Sequence, residues 1–207
     1  MGVWPRTRRS NTLTPTGLYD FADIKPSSRL PMAIQIRALT EDDLDRFAAH
    51  FNRHRAESGR DDIHFMPFDP NDADGPRGLD RTGLEKPLHS PGWQRWFAAF
   101  ETDGRIVGHV DLKGDDLKTG LHRCELGIGI ERSHRGHGLG RRLMQMAISF
   151  TRKTDTLEWV DLRVFAHNKA ARALYESLGF VEVATIVDRF RITGTRVDDV
   201  LMTLHLQ

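Results

Sequence analysis

The chain has 207 residues, 39% of them hydrophobic, which suits one domain with a sizeable core. Its 30 Lys and Arg nearly balance 29 Asp and Glu, and residues 1–31 hold five basic and two acidic residues, so the rest is slightly acidic; this disfavours nucleic acid as a partner. The chain has one cysteine, Cys124, which cannot form an intramolecular disulfide. It has no run near the ~18 apolar residues of a membrane span and no secretory signal. These features predict a soluble, cytoplasmic protein without membrane contact.

The first half of the chain is punctuated by proline, since all nine prolines lie before residue 92. Residues 1–31 are predicted to be an irregular N-terminal arm, and Met32 is one candidate for the biological start, so that the domain would span 32–207. A strand is predicted over 33–37 and a helix from Thr40, an N-cap followed by three acids. Residues 52–92 are predicted to be an irregular substrate-side loop or lid, because they contain five prolines.

The second half alternates strands and helices without interruption by proline. Strands are predicted over 93–101, 106–112 and 124–131, followed by a glycine-rich turn and a helix with an apolar face from Leu139 to Phe150. A strand over 159–165, a helix over 168–178 closed by Gly179, and a hairpin of strands 181–192 and 196–206 complete the chain. This order predicts a single α/β domain of the mixed α+β kind.

The turn before the Leu139 helix is the most informative segment, and it reads Arg135-Gly136-His137-Gly138-Leu139-Gly140-Arg141. Free N–H groups and the dipole at a helix N-terminus favour an anion, glycines allow its close approach, and the arginines add positive charge. The spacing fits neither the dinucleotide fingerprint nor a Walker loop. On the preceding strand, Gly127 and Gly129 predict a bare face beside Glu125 that a ligand approaches. The alternative is a turn that only starts a helix.

Two segments resemble the signatures of the GNAT N-acetyltransferase superfamily. The turn from Arg135 to Gly140 matches the family's (Q/R)-x-x-G-x-(G/A) loop for the acyl-CoA pyrophosphate, and Asn168 to Phe180 matches its N-x-x-A-x-x-x-Y signature followed by a hydrophobe, Gly and Phe. The order of elements agrees from Ile34 onward. One departure is Arg132, where many members have proline, and it leaves the start of the turn unspecified.

The resemblance implies acetyl-CoA as cosubstrate, a mostly antiparallel sheet that splays open at an acyl-CoA cleft, and direct attack by a primary amine in a ternary complex. It implies that Glu125 accepts a proton from the amine, with Glu131 as the alternative base, and that Tyr175 protonates the departing thiolate. The remaining implied contacts are with the acyl-CoA, and they come from Ile128, Gly129, Ile130, Arg135, Gly136, His137, Gly138, Leu139, Gly140, Arg141, Asn168 and Ala171.

The sequence leaves several alternatives open. The acceptor is either a small-molecule amine or the N-terminal or lysine amine of a protein, with specificity expected in residues 41–92. A non-catalytic acyl-CoA-binding regulatory module of the same fold is the alternative to an enzyme. His50 and His54 are spaced as a metal pair without a recognisable third ligand, so no metal is expected. A homodimer is considered because similar proteins commonly form dimers.

Overall fold

The computed structural model describes residues 34–60, 64–68 and 81–206. The predicted arm over 1–31, the candidate start at Met32 and part of the predicted lid therefore lie outside the described residues. Within the described ranges, none of the helices is long and apolar enough to cross a membrane.

Seven strands of the described chain form one mixed sheet in the order β1-β2-β3-β4-β5-β7-β6. All neighbours are antiparallel except β4 and β5. This confirms the predicted mixed, mostly antiparallel sheet. The strands are Gln35–Ala38 (β1), Gln94–Phe100 (β2), Ile106–Gly114 (β3), Arg123–Ile130 (β4), Trp159–Phe165 (β5), Val181–Ile192 (β6) and Thr195–His205 (β7).

Four α-helices connect these strands: Leu44–Arg55 (α1), Arg81–Glu85 (α2), Leu139–Arg152 (α3) and Lys169–Glu176 (α4). A short 3-10 turn, Glu41–Asp43, leads into α1, and the Asp43 carboxylate accepts hydrogen bonds from the Thr40 amide and hydroxyl. The described part of the predicted loop or lid over 52–92 is not irregular throughout, because α1 continues to Arg55 and the short helix α2 lies within the segment.

The two longest helices, α1 and α3, pack on opposite faces of the sheet. Alternate residues of β2 point to the two faces: Phe97 belongs to the core shared with α3, whereas Ala98 packs with Phe47 of α1. The amphipathic face predicted for α3 is confirmed, since Leu143 and Phe150 on it are buried. The sheet therefore has an α3-facing side and an α1-facing side.

Candidate active site

The central feature of the sheet is the point at which its only parallel pair of neighbouring strands separates. Strands β4 and β5 pair only from Arg123 with Trp159 to Glu125 with Asp161, after which β4 continues beside β3 and β5 beside β7. A cleft of about 610 Å³ occupies the gap. The edge of β4 from Leu126 to Ile130 therefore presents backbone groups without a neighbouring strand.

Most of the residues that the sequence singled out line this cleft. They come from β4, from the glycine-rich turn and from α4, which are separated in sequence and meet only in the fold. The lining residues among them are Glu125, Ile128, Ile130, Arg135, Gly136, Gly138, Gly140, Arg141, Asn168, Ala171 and Tyr175.

Three of the predicted acyl-CoA contacts are not among the cleft-lining residues. The α1-facing side of Gly129 is covered by the imidazoles of His54 and His109, the His137 side chain is exposed, and Leu139 is buried in the core with 1% exposure. A contact of these three residues with a ligand would therefore use backbone groups and not side chains.

The bare strand face predicted at Gly127 and Gly129 is wrong. A Cβ atom on Gly127 would lie 2.5 Å from Oδ1 of Asp111, and one on Gly129 would lie 2.4 Å from Cε1 of His109. Because β3 runs beside β4 with Asp111 opposite Gly127 and His109 opposite Gly129, its polar side chains fill the space that the glycines leave. The glycines are needed here so that these side chains can lie against the β4 backbone.

The turn before α3 has the backbone of an anion site. Gly136 and Gly138 have φ angles of 79° and 82°, in the left-handed region that glycine adopts without strain. No side chain caps the N-terminus of α3, so its first N–H groups and its dipole face the cleft. An added Cβ at Gly136 would meet nothing within 4 Å, which leaves room for a phosphate group at the backbone.

The two arginines of this turn have different surroundings. Arg135 folds back, because its Nε donates to the Ile130 carbonyl at 2.8 Å and its Nη2 donates to Glu57 at 3.3 Å. Arg141 is exposed and donates to the Ser177 hydroxyl at 2.8 Å. Arg135 thus fixes the turn to the end of β4, and Arg141 is the more accessible of the two positive charges.

The departure at Arg132 has a local explanation. The Arg132 backbone N–H donates to both carboxylate oxygens of Glu57, at 3.1 and 2.8 Å. Proline has no N–H and would lose this bond. The contact joins the start of the turn to the segment that follows α1, so the same Glu57 carboxylate holds the turn at Arg132 and at Arg135.

The two predicted proton-transfer residues both line the cleft and come from different elements, β4 and α4. Glu125 is exposed and belongs to the last residue pair before β4 and β5 separate. Tyr175 lies on α4 with 6% exposure, and burial raises its pKa to about 12. The tyrosine hydroxyl therefore keeps its proton at neutral pH and is able to donate it.

Asn168 has a structural task in addition to its place in the cleft. It is the N-cap of α4, and its Oδ1 accepts a hydrogen bond from the Ala171 N–H at 3.2 Å. The amide nitrogen of Asn168 is not used in this cap. Its two N–H groups are the part of the side chain suited to a ligand acceptor.

Glu131, the alternative base, is buried on the α1-facing side with 2% exposure and does not line the cleft. Its carboxylate bonds to Nδ1 of His50 at 2.9 Å, to Nε of Arg53 at 2.9 Å and to Nη2 of Arg105 at 2.5 Å. Burial alone would raise the pKa of Glu131, but the His50 hydrogen bond and the neighbouring positive charges outweigh it and lower the pKa to about 2. These contacts indicate a structural anion and argue against a role as base.

Several residues of the cleft wall are not among the predicted catalytic and acyl-CoA-binding residues. His54 stacks on Phe65 with ring centroids 4.9 Å apart, and burial lowers the pKa of His54 to about 3, helped by the charges of His50 and Arg135. The only sequence signal for His54 was its spacing of four residues from His50. Within the described ranges, no group of three or more His, Cys, Asp and Glu side chains is arranged to hold a metal. The other unpredicted wall residues include Arg163, Phe165, Phe190 and Asp199.

The sequence and the fold were compared with known proteins. Residues 62–180 match the Acetyltransferase (GNAT) family. The [ribosomal protein uS5]-alanine N-acetyltransferase of Escherichia coli is 26% identical over 193 residues, which cover 90% of this chain and 95% of that protein. The spermidine N(1)-acetyltransferase of Vibrio cholerae is 32% identical over 115 residues, covering 55% of this chain and 64% of that protein.

A structure from Salmonella typhimurium with its cofactor acetyl-CoA shares the fold, with a TM-score of 0.66 and 19% identity over 84% of this chain and 95% of that one. The cleft, the uncapped helix N-terminus and the two signatures agree with these findings. The chain therefore belongs to the Acetyltransferase (GNAT) family and is an acetyl-CoA-dependent N-acetyltransferase.

Proposed function

We propose that this enzyme transfers the acetyl group directly to a primary amine while both substrates are bound, with the amine on the α1-facing side of the sheet. The observation that carries the proposal is the separation of β4 from β5 beyond Glu125 and Asp161. The separation opens one cleft that has an anion site at one end, Tyr175 on one wall and a carboxylate at the other end. A single cleft of this kind suits a one-step transfer without a covalent acyl-enzyme.

The cleft fits the donor part by part. The pyrophosphate would bind the N–H groups of residues 136–141, and the pantetheine arm would pair with backbone groups of Ile128, Gly129 and Ile130 as a strand does. The amide nitrogen of Asn168 and the methyl group of Ala171 would contact the same arm from α4. When bound, acetyl-CoA supplies the thioester that the amine attacks.

Glu125 and Tyr175 would manage the protons. An amine with a pKa near that of lysine, about 10, is mostly protonated at pH 7 and must lose a proton before it attacks. Glu125, at the point where the strands separate, would accept this proton directly or through water. Tyr175, on α4, would give its hydroxyl proton to the departing thiolate.

The class of acceptor is proposed from the residues of this site and from the acceptors of the relatives. One relative acts on the alanine of a ribosomal protein and another on spermidine, and both acceptors are primary amines. The lining residues of the α1-facing side include carboxylates and aromatic rings, which suit a protonated amine before transfer. A protein N-terminus that begins with alanine and a small polyamine are the two acceptors to test first.

A thermal melt with and without acetyl-CoA tests the donor site. Ligand at about 100 times its dissociation constant adds about 2.7 kcal/mol, which is a shift of a few degrees for this size. Release of CoA with spermidine and with a peptide that begins with alanine then tests transfer. No thermal shift at saturation would contradict the donor site, and a shift without CoA release from either amine would favour a binding module.

Variants test the two assigned roles. Glu125→Gln and Tyr175→Phe keep shape and remove the ionisable proton, so each should lower the rate of transfer by about 10²-fold or more and leave the acetyl-CoA shift unchanged. Glu182→Gln, at an exposed ion pair of β6, is the matched control. Full activity in either active-site variant would contradict that residue's role.

A further inference from the structure

One carboxylate of the α1-facing side was not a candidate in the sequence analysis and has no role in the proposed mechanism. Asp111 of β3 lies directly opposite Gly127 of β4 and opposite Trp96 of β2. Its Oδ1 is 2.5 Å from the place where a Cβ of Gly127 would be. Gly127 lines the cleft and Asp111 itself does not; the Asp111 carboxylate lies beside the cleft, against the α1-facing side of Gly127.

The surroundings of Asp111 set it apart from other carboxylates of the sheet region. Glu131 and Asp199 are buried and each is held by arginine. Within the described part of the chain, Asp111 makes no hydrogen bond to another side chain and no ion pair. A carboxylate that is half-buried without a positive partner is destabilising, and a position that only had to fill space would be better served by an apolar side chain.

The groups that face Asp111 leave its charge uncompensated. On β4, the neighbour of Asp111 is Glu125, whose negative charge disfavours a second ionised carboxylate beside it. On β2, the neighbour is the Trp96 ring. On β3 itself, the neighbours on the same face are neutral His109 on one side and Lys113 on the other. The Lys113 ammonium pairs with Asp116 at 3.2 Å. Burial, followed by the charge of Glu125, raises the pKa of Asp111 to about 7, close to the value at which a base is most effective near neutral pH.

The next positions along β4 continue this polar surface. His54 of α1 lines the cleft and lies over Gly129, and its buried Nδ1 has no hydrogen-bond partner. Burial keeps the His54 and His109 rings neutral. The α1-facing side of the sheet therefore carries two neighbouring carboxyl groups, Glu125 on β4 and Asp111 on β3, followed by neutral imidazoles, and this pattern favours a cation at the Asp111 end.

We infer that Asp111 is a further catalytic residue: it binds the ammonium group of the acceptor and, after Glu125 has taken the first proton, takes the second proton that this nitrogen loses. The inference rests on the proposed function. In the transfer, one ammonium proton passes to Glu125, and the freed nitrogen lone pair forms the bond to the acetyl carbonyl carbon. A second N–H proton passes to a carboxylate oxygen of Asp111 as the carbon–sulfur bond breaks, and the CoA thiolate takes the Tyr175 proton. Of the two protons then held by the carboxylates, one replaces the Tyr175 proton through solvent and the other is lost to solvent.

The test is Asp111→Asn, which keeps the shape beside Gly127, with Asp155→Asn as the matched control because Asp155 is exposed and follows the end of α3. Asp111→Ser is a second variant in case the amide is poorly accommodated. All are first melted with and without acetyl-CoA. We expect folded proteins with an unchanged acetyl-CoA shift, because Asp111 is on the acceptor side.

The decisive measurement is kcat/KM as a function of pH, with spermidine and with a peptide that begins with alanine. In the wild type, kcat/KM should rise with pH and level off above about 7, where Asp111 is ionised. In Asp111→Asn, kcat/KM at pH 7 should fall by about 10² to 10⁴-fold and keep rising at higher pH, since solvent must take the proton. Asp155→Asn should stay within about threefold of the wild type.

Each remaining outcome counts against the inference or against its premise. Asp111 variants within tenfold of the wild type, or a lowered rate with an unchanged pH profile, would overturn the catalytic role. A wild type that binds acetyl-CoA and acetylates neither amine would also overturn it. A wild type without an acetyl-CoA shift would instead contradict the proposed function.

Discussion

Replacing Glu131 with glutamine tests the buried ion network under α1. The carboxylate is 2% exposed and bonds to His50, Arg53 and Arg105. At about 1.4 kcal/mol for each tenfold change in acidity, the lowering of its pKa from 4.5 to about 2 corresponds to about 3 kcal/mol of folding free energy. Glu131→Gln should therefore lower the free energy of unfolding at pH 7 by about 3 kcal/mol.

The pH dependence separates this charge effect from a change in packing. Because the folded-state pKa is depressed, the stabilisation is complete above about pH 5 and is lost as pH falls toward 2. Urea unfolding at pH 7 and pH 3 should show the difference between wild type and variant shrinking by about 2 kcal/mol. The control Glu182→Gln, at a pair 40% exposed on the glutamate side, should cost less than about 1 kcal/mol.

An equal difference at both pH values would refute the reasoning. It would mean that the glutamine acts through shape or a lost hydrogen bond and not through the charge. A control variant with the same pH dependence as Glu131→Gln would refute it as well, because the effect would then belong to glutamates in general.

Three further predictions concern the turn, the thiol and the start of α1. Gly136→Ala and Gly194→Ala both place alanine at a left-handed φ with nothing within 4 Å of the added Cβ. Each should lower the free energy of unfolding in a urea melt by about 1–2 kcal/mol. Only Gly136→Ala should also weaken acetyl-CoA binding in a thermal titration. Burial raises the pKa of the Cys124 thiol to about 12, so iodoacetamide at pH 8 should label it only after unfolding. Asp43→Ala removes the bonds to Arg37 and Thr40 and should cost about 2 kcal/mol in a urea melt; an unchanged melt would show that they are not needed.

The elements with local signals were predictable from the sequence. The glycine turn, the helix after Asn168 and the hairpin around Gly194 each depend on residues close in sequence, and the structure has them at the expected places. The boundaries differ by a residue or two; Glu131, for instance, was placed within the strand predicted over 124–131 but follows β4.

The chemistry of the α1-facing side was not predictable in this way. A glycine on a strand shows only that a side chain is missing, and it does not show what occupies the space. That depends on the register of β3 against β4, which sets Asp111 opposite Gly127. The partners of Glu131 likewise come from residues 26 to 81 positions away in sequence. Such contacts are fixed by the tertiary fold and leave no spacing pattern in the sequence.

The short pairing of β4 with β5 has a consequence for what is able to enter the cleft. An unpaired strand edge usually invites another polypeptide to add a strand. This edge is internal: β5 faces it across the cleft, and Tyr175 of α4 lines the same space. A second polypeptide would have to enter the cleft to pair with this edge, so the edge does not act as an exposed rim of the sheet, and its backbone groups are kept for a ligand that binds inside.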